Sequence, residues 1–156
     1  MEKRLKLLFA DLEAQLTDIL ELHQKIEEKV KKLDKDLDNE DIKDSLAYKL
    51  HNLYCAYEDF FKIIAEFFEN QIDDKKKYHI LLLKRMSIKI EGIRPALLSK
   101  ETFKILDELR AFRHLFRHAY SYELDPEKVL KLAKKMTNLK MLFLKDWEKF
   151  KTLIFS

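Results

Sequence analysis

Glycine occurs once in the 156 residues, cysteine once and proline twice. A single glycine excludes glycine-rich phosphate loops and dinucleotide fingerprints, which need several residues at positive φ or in close backbone approach. Any nucleotide chemistry must therefore run on side chains. The lone Cys55 cannot close an internal disulfide, and it excludes any zinc site within one chain that needs two or more thiolates. That cysteine usage fits a reducing, cytoplasmic setting. No apolar run approaches the roughly 18 residues a membrane span requires, and the N-terminal stretch turns acidic at Asp11 before a hydrophobic region develops. A chain of this length is expected to form one domain over residues 1–156, burying roughly 68–70% of the surface its unfolded form exposes.

Helix formers dominate what is present. Neither Gly nor Pro precedes Gly92, so the first half of the chain contains none of the strongest breakers. The series Leu5, Phe9, Leu12, Leu16, Ile19, His23, Ile26, Val30, Leu33, Leu37 steps by four and three, the seam of a long helix. His23 is its only polar member and reads best as a core histidine. The acidic stretch Asp34–Asp44 predicts a turn, with Asp38 or Asn39 capping a second helix that runs to about Ile72. That helix carries one seam through Leu46, Leu50, Leu53, Tyr57, Phe60, Ile64 and Phe67, and a second stripe at Ala47, Tyr54, Phe61 and Phe68. So wide a stripe needs two neighbouring helices or a partner chain to cover it. Asp73–Lys77 reads as a solvated loop, Tyr78–Ser87 as a short helix, and Gly92–Pro95 as an irregular link. Ser99 caps a helix from about Lys100, with Leu98 and Phe103 as a hydrophobic staple. Asp125 followed by Pro126 opens the last helix. The expected architecture is all-α: an antiparallel bundle of four long helices and one short one.

The net charge of +3 is too small to argue for a nucleic acid, but its local distribution is uneven. Arg110–His118 holds three arginines and two histidines without an acid in nine positions. At about 100° per residue, His114 and His118 share a face one turn apart, with Arg110, Arg113 and Arg117 along a neighbouring strip. Phe112, Leu115, Phe116 and Ala119 are left to pack inward. The plain alternative is a basic face whose arginines pair with acids nearby. Arg113 and His118 differ by roughly 140° on an ideal helix, so a composite site across a two-fold axis brings them together more easily than one helix does. A metal site on His114 and His118 has two ligands where three are needed and no telling carboxylate, so no metal or other cofactor is expected.

Arg113 to Tyr120 reads R-polar-x-x-x-H-x-Y, which resembles the signature of HEPN ribonucleases, and specifically of HepT toxins from HepT/MntA toxin–antitoxin pairs. The segments Leu46–Asn70, Gly92–Thr102 and Leu106–Asp125 also look like the HepT-like branch, and the helix order fits along nearly the whole chain. His114 departs from the commoner pattern, in which Asn or Asp follows the arginine.

The resemblance implies metal-independent cleavage of RNA by a homodimer with its cleft at the interface, and an MntA-like nucleotidyltransferase antitoxin as partner. The side chains suit that chemistry. Cleavage needs the 2′-hydroxyl deprotonated, the leaving 5′-oxygen protonated and the phosphorane charge neutralised. His118 can act as base or acid, and two copies of His118 could divide those roles; Arg113 binds phosphate oxygens. His114 is assigned an orienting or phosphate-contacting role. Arg110 and Arg117 are candidate RNA backbone contacts, with surface pairing as the equal alternative. Glu58, an acid among aromatics, is expected to hold Arg113 or His118 in place. In such pairs the motif tyrosine, here Tyr120, is the residue the antitoxin adenylylates. The competing readings are a catalytically silent partner subunit of a nucleotidyltransferase and a plain helical interaction protein.

Overall fold

The computed structural model describes residues 2–69, 78–118 and 124–156. Among these, five helices follow in order and no strand forms: α1 Glu2–Lys35, α2 Glu40–Glu69, α3 Tyr78–Met86, α4 Lys100–His118 and α5 Pro126–Phe155. The turn between α1 and α2 is tighter than the acidic stretch implied. α1 stops before Leu37, and Asn39 caps α2 by accepting from the Ile42 amide at 3.1 Å. Ser99 Oγ accepts from the Thr102 amide at the start of α4, and Asp125 caps α5 through the Glu127 amide with Pro126 at the first turn. Asp73–Lys77 and Ile72 lie outside the described residues.

Cross-helix contacts fix the directions. Arg4 sits over the Phe67 ring and Gln15 donates to the Ala56 carbonyl, so α1 and α2 run antiparallel. Glu13 with Lys151, Glu27 with Lys140 and Asp34 with Lys134 form a descending ladder that sets α5 antiparallel to α1. Ser99 with Asp146 and Glu108 with Lys135 do the same for α4 and α5. The chain is thus an up-down-up-down bundle in which α3 packs against α2 and α4.

Every residue of the α1 seam from Phe9 to Ile26 is buried, as are all members of the α2 seam except the half-buried Phe67. Phe60 lies 5.3 Å from Phe143 and 5.2 Å from Trp147, both edge-on, and Trp147 stacks on Phe9 at 5.3 Å. The indole N–H of Trp147 donates to Glu13 Oε1 at 3.0 Å, so burying this ring leaves no donor unmet. His23 is the polar member expected in the seam. Its Nε2 and the Tyr57 hydroxyl are hydrogen-bonded at 2.7 Å, and burial, with Lys140 nearby, lowers its pKa to about 4, so it is neutral inside.

The irregular link after α3 turns at Gly92, whose φ of 77° is open to glycine and strained for other residues. The turn delivers Arg94 into the interior. Its Nε donates to Glu69 Oε2 at 2.9 Å, and its Nη groups donate to the carbonyls of Arg85, Ile88 and Pro95. A buried guanidinium is tolerated because its charge is paired and its donors are met.

Candidate functional site

The two halves of α4 differ. Thr102, Leu106 and Leu109 are buried, whereas no described residue of the helix beyond Leu109 is. Phe112 and Phe116 are half-buried as expected, but Leu115, expected to pack inward, is 56% exposed. It lines an open groove between α4 and α5 with Ala111, Phe112 and Leu132, rimmed by Lys128, Lys131 and Lys135. The 100° period shows which residues share a face and is silent on which face a neighbour covers. Ala119 and Tyr120 lie outside the described residues.

Arg113 points from α4 toward α2. Its Nε–H donates to Cys55 Sγ at 3.3 Å, and the same sulfur lies 3.8 Å from His51 Nε2. His51 stacks against Phe116 at 5.3 Å, and the exposed Tyr48 lies 6.3 Å from His51 and 6.4 Å from Phe116. Burial, then Arg113 and Arg117, lower the His51 pKa below its ordinary value, which favours a neutral ring beside the two cations. A row of ring faces therefore borders the arginines.

His114 and His118 project to solvent on the outer face, their ring centroids 4.5 Å apart, and Arg117 is exposed beside them. Arg113 and His118 share no hydrogen bond, in keeping with the wide angle between them. Arg110 takes the surface-pairing alternative: its Nε donates to Asp107 Oδ1 at 2.9 Å and its Nη2 lies 2.8 Å from the same oxygen.

Glu58 departs from expectation. It is buried, but its partner is neither Arg113 nor His118: Oε2 lies 2.6 Å from Nδ1 of His79 on α3. A buried acid needs a cationic or hydrogen-bonding partner, but the sequence carries no sign that this partner stands 21 residues away on another helix. Tyr54, one turn before Glu58, is buried, and its hydroxyl has no hydrogen-bond partner among the described residues. Burial and then Glu58 push its phenol pKa far up, while Arg110 and Arg113 act in the opposite direction. The faces that α2, α3 and α4 turn to one another thus gather two carboxylates, a phenol, a thiol, two imidazoles and two guanidiniums. Among the described residues no three His, Cys, Asp or Glu side chains converge as a metal ion would require, and no helix is long and apolar enough to cross a membrane.

Residues 45–154 match the family described as HepT-like protein. No curated protein and no solved structure matches the chain.

Proposed function

This chain belongs to the HepT-like family, and we propose that it is the ribonuclease toxin of a HepT/MntA-type pair, cutting RNA without a metal at a site shared by two copies. The observation that carries the reading is the division of labour over the last turns of α4: Arg113 is held against Cys55 while His114 and His118 stand free in solvent. A guanidinium that keeps its charge grips phosphate oxygens, and an imidazole that titrates near neutrality moves protons. Because Arg113 and His118 lie on different faces, one copy alone presents each group to a different side. A two-fold axis along α4 supplies the missing group from the second copy.

Three further features support an RNA substrate. Tyr48, His51 and Phe116 offer ring faces to unpaired bases beside Arg113 and Arg117, the combination single strands use. The groove between α4 and α5, lined by Lys128, Lys131 and the Glu108–Lys135 ion pair, is net positive and adjoins the arginines. The ring contact of His114 with His118 supports a role for it in orienting that ring or touching a phosphate. In the reaction the 2′-oxygen attacks phosphorus, the bond to the 5′-oxygen breaks, and a 2′,3′-cyclic phosphate results. DNA lacks the 2′-hydroxyl and resists.

Tyr120, two positions after His118, is the proposed site of adenylylation by the antitoxin. An attached AMP brings bulk and negative charge to the place the RNA phosphate needs, so repulsion and obstruction act together. The second reading, a silent helical subunit of a nucleotidyltransferase, draws on the separation of Arg113 from His118 within one copy.

Purified protein is to be incubated with labelled RNA, or with DNA of the same sequence, in EDTA. Cleavage of RNA alone, abolished by His118→Ala and by Arg113→Ala, is expected. An inactive dimer favours the silent subunit, and activity lost on chelation favours a metal site. With ATP and the partner nucleotidyltransferase, adenylyl mass is expected on the peptide containing Tyr120 and is expected to disappear in Tyr120→Phe. An adduct lost only in Tyr122→Phe refutes that assignment.

A further inference from the structure

We propose that His79, held by the buried carboxylate of Glu58, is the base that takes the 2′-hydroxyl proton; this deepens the ribonuclease reading and rests on it. The Glu58 side chain is 4% exposed and that of His79 is 40% exposed, with Oε2 and Nδ1 2.6 Å apart. One ring nitrogen is thereby committed to the carboxylate, which fixes the ring's orientation and leaves Nε2 as its proton-exchanging atom on a side chain open to solvent. When Nε2 takes a proton, the carboxylate balances the charge the ring acquires, the arrangement by which an acid supports a histidine base.

The placement is as telling as the pair. On α2, Glu58 follows Cys55 by three positions, and residues so spaced lie about 5–6 Å apart on one helix face. Arg113 reaches that face from α4 and docks on Cys55; His79 reaches it from α3 and docks on Glu58. Tyr54, next to Cys55 and one turn before Glu58 on α2, feels both groups, Glu58 raising its phenol pKa and Arg113 lowering it. A phosphate on Arg113 therefore places the adjoining ribose toward His79. Glu69 already ties α2 to α3 through Arg85 and to the segment after α3 through Arg94, so bracing alone does not require the Glu58–His79 pair.

The step balances without a further reactant. Nε2 of His79 takes the 2′-hydroxyl proton, the 2′-oxygen bonds to phosphorus, and the bond from phosphorus to the 5′-oxygen breaks. His118 gives its proton to the departing 5′-oxygen. The products are a 2′,3′-cyclic phosphate and a 5′-hydroxyl, with His79 protonated and His118 neutral until water exchanges the proton between them. Within the reaction His79 is a catalytic residue and Glu58 a positioning residue.

The test uses 2′-O-methyl RNA with one free 2′-hydroxyl, made with either oxygen or sulfur as the bridging 5′ atom at that site. In single-turnover cleavage by the full chain, His79→Ala is expected to lose roughly 10²–10⁴-fold on both substrates. Added imidazole should restore part of that loss in proportion to its free base. His118→Ala should lose rate on the oxygen substrate and regain it on the sulfur one, whose thiolate departs without a proton. Glu58→Gln should bind the RNA as wild type does and cleave both substrates more slowly. A wild-type protein that cuts neither substrate overturns the ribonuclease reading and the base with it. An active wild type beside a folded His79→Ala variant of equal rate overturns the base alone, as does a His79→Ala variant rescued by sulfur. Should His79→Ala not fold, Glu58→Gln decides: an undiminished rate overturns the proposal, and a slower rate on both substrates at unchanged affinity supports it.

Discussion

The two sides of α2 solve opposite problems. Toward α1 and α5 it presents Tyr57, Phe60, Phe61 and Ile64, all fully buried, and the buried histidine there, His23, is hydrogen-bonded to Tyr57 and neutral. Toward α3 and α4 it presents His51, Tyr54, Cys55 and Glu58, which meet Arg113 and His79 in a partly open face. One side removes apolar area from water; the other collects groups that hold or move charge. Their proximity on one helix teaches that the core is a rigid backing against which the ionisable groups are set, so that changes on the two sides should be read by different instruments.

The largest effect expected from this division is on chemistry alone. Arg113→Ala and His118→Ala should each reduce RNA cleavage at least 10²–10⁴-fold, while the urea midpoint moves little, because the exposed His118 and half-buried Arg113 contribute little packing. A large fall in the midpoint would erase the distinction. On the dry side, Phe60→Ala should cost about 3–5 kcal/mol in denaturant unfolding, since Phe60 contacts Phe143 and Trp147 and its removal leaves a cavity. Residual folded protein should keep its cleavage rate.

Next comes a pH effect confined to the buried side. Burial holds His23 at about 4 in the folded chain, against an ordinary value near 6.5. As pH falls, the unfolded chain binds the proton first. The stability associated with neutral His23 is therefore full above about pH 6.5, drains as pH falls toward about 4, and levels off below; it amounts to on the order of 3 kcal/mol. Urea midpoints measured across this window should fall more steeply in the wild type than in His23→Gln; parallel curves would contradict it. The smallest effect belongs to neither side. Asn39→Ala removes the cap of α2 and should cost about 1 kcal/mol by the same measurement.

Much of the architecture was legible because helices announce themselves by period and punctuation. The α1 and α2 seams, the caps at Ser99 and Asp125, a cap at Asp38 or Asn39 that the structure gives to Asn39, and the core role of His23 all follow from spacing and side-chain chemistry. What escaped was long-range pairing. Glu58 was recognised as an acid needing a partner, but the choice of His79 depends on how α3 folds back, which no local pattern encodes. Arg94 sat in a link read as irregular, and its seat among three carbonyls is set by a turn through Gly92. Leu115 was assigned inward by its angle, yet α5 leaves that flank of α4 uncovered. The basic residues of α4 were visible as a cluster, whereas Cys55, which receives Arg113, and His51 beside it carried no signal until α2 and α4 were set side by side.

The short turn at residues 36–39 links α1, which lies wholly before the matched segment, to everything that bears the proposed chemistry. α1 supplies one wall of the apolar interior and the acidic half of the ladder to α5. A break engineered at that turn would yield two fragments, the larger carrying every group of the proposed reaction and an uncovered greasy flank. Supplying α1 as a separate peptide should then act as an on-switch, so that folding of the larger fragment is titrated by the dose of a helix that takes no part in the reaction.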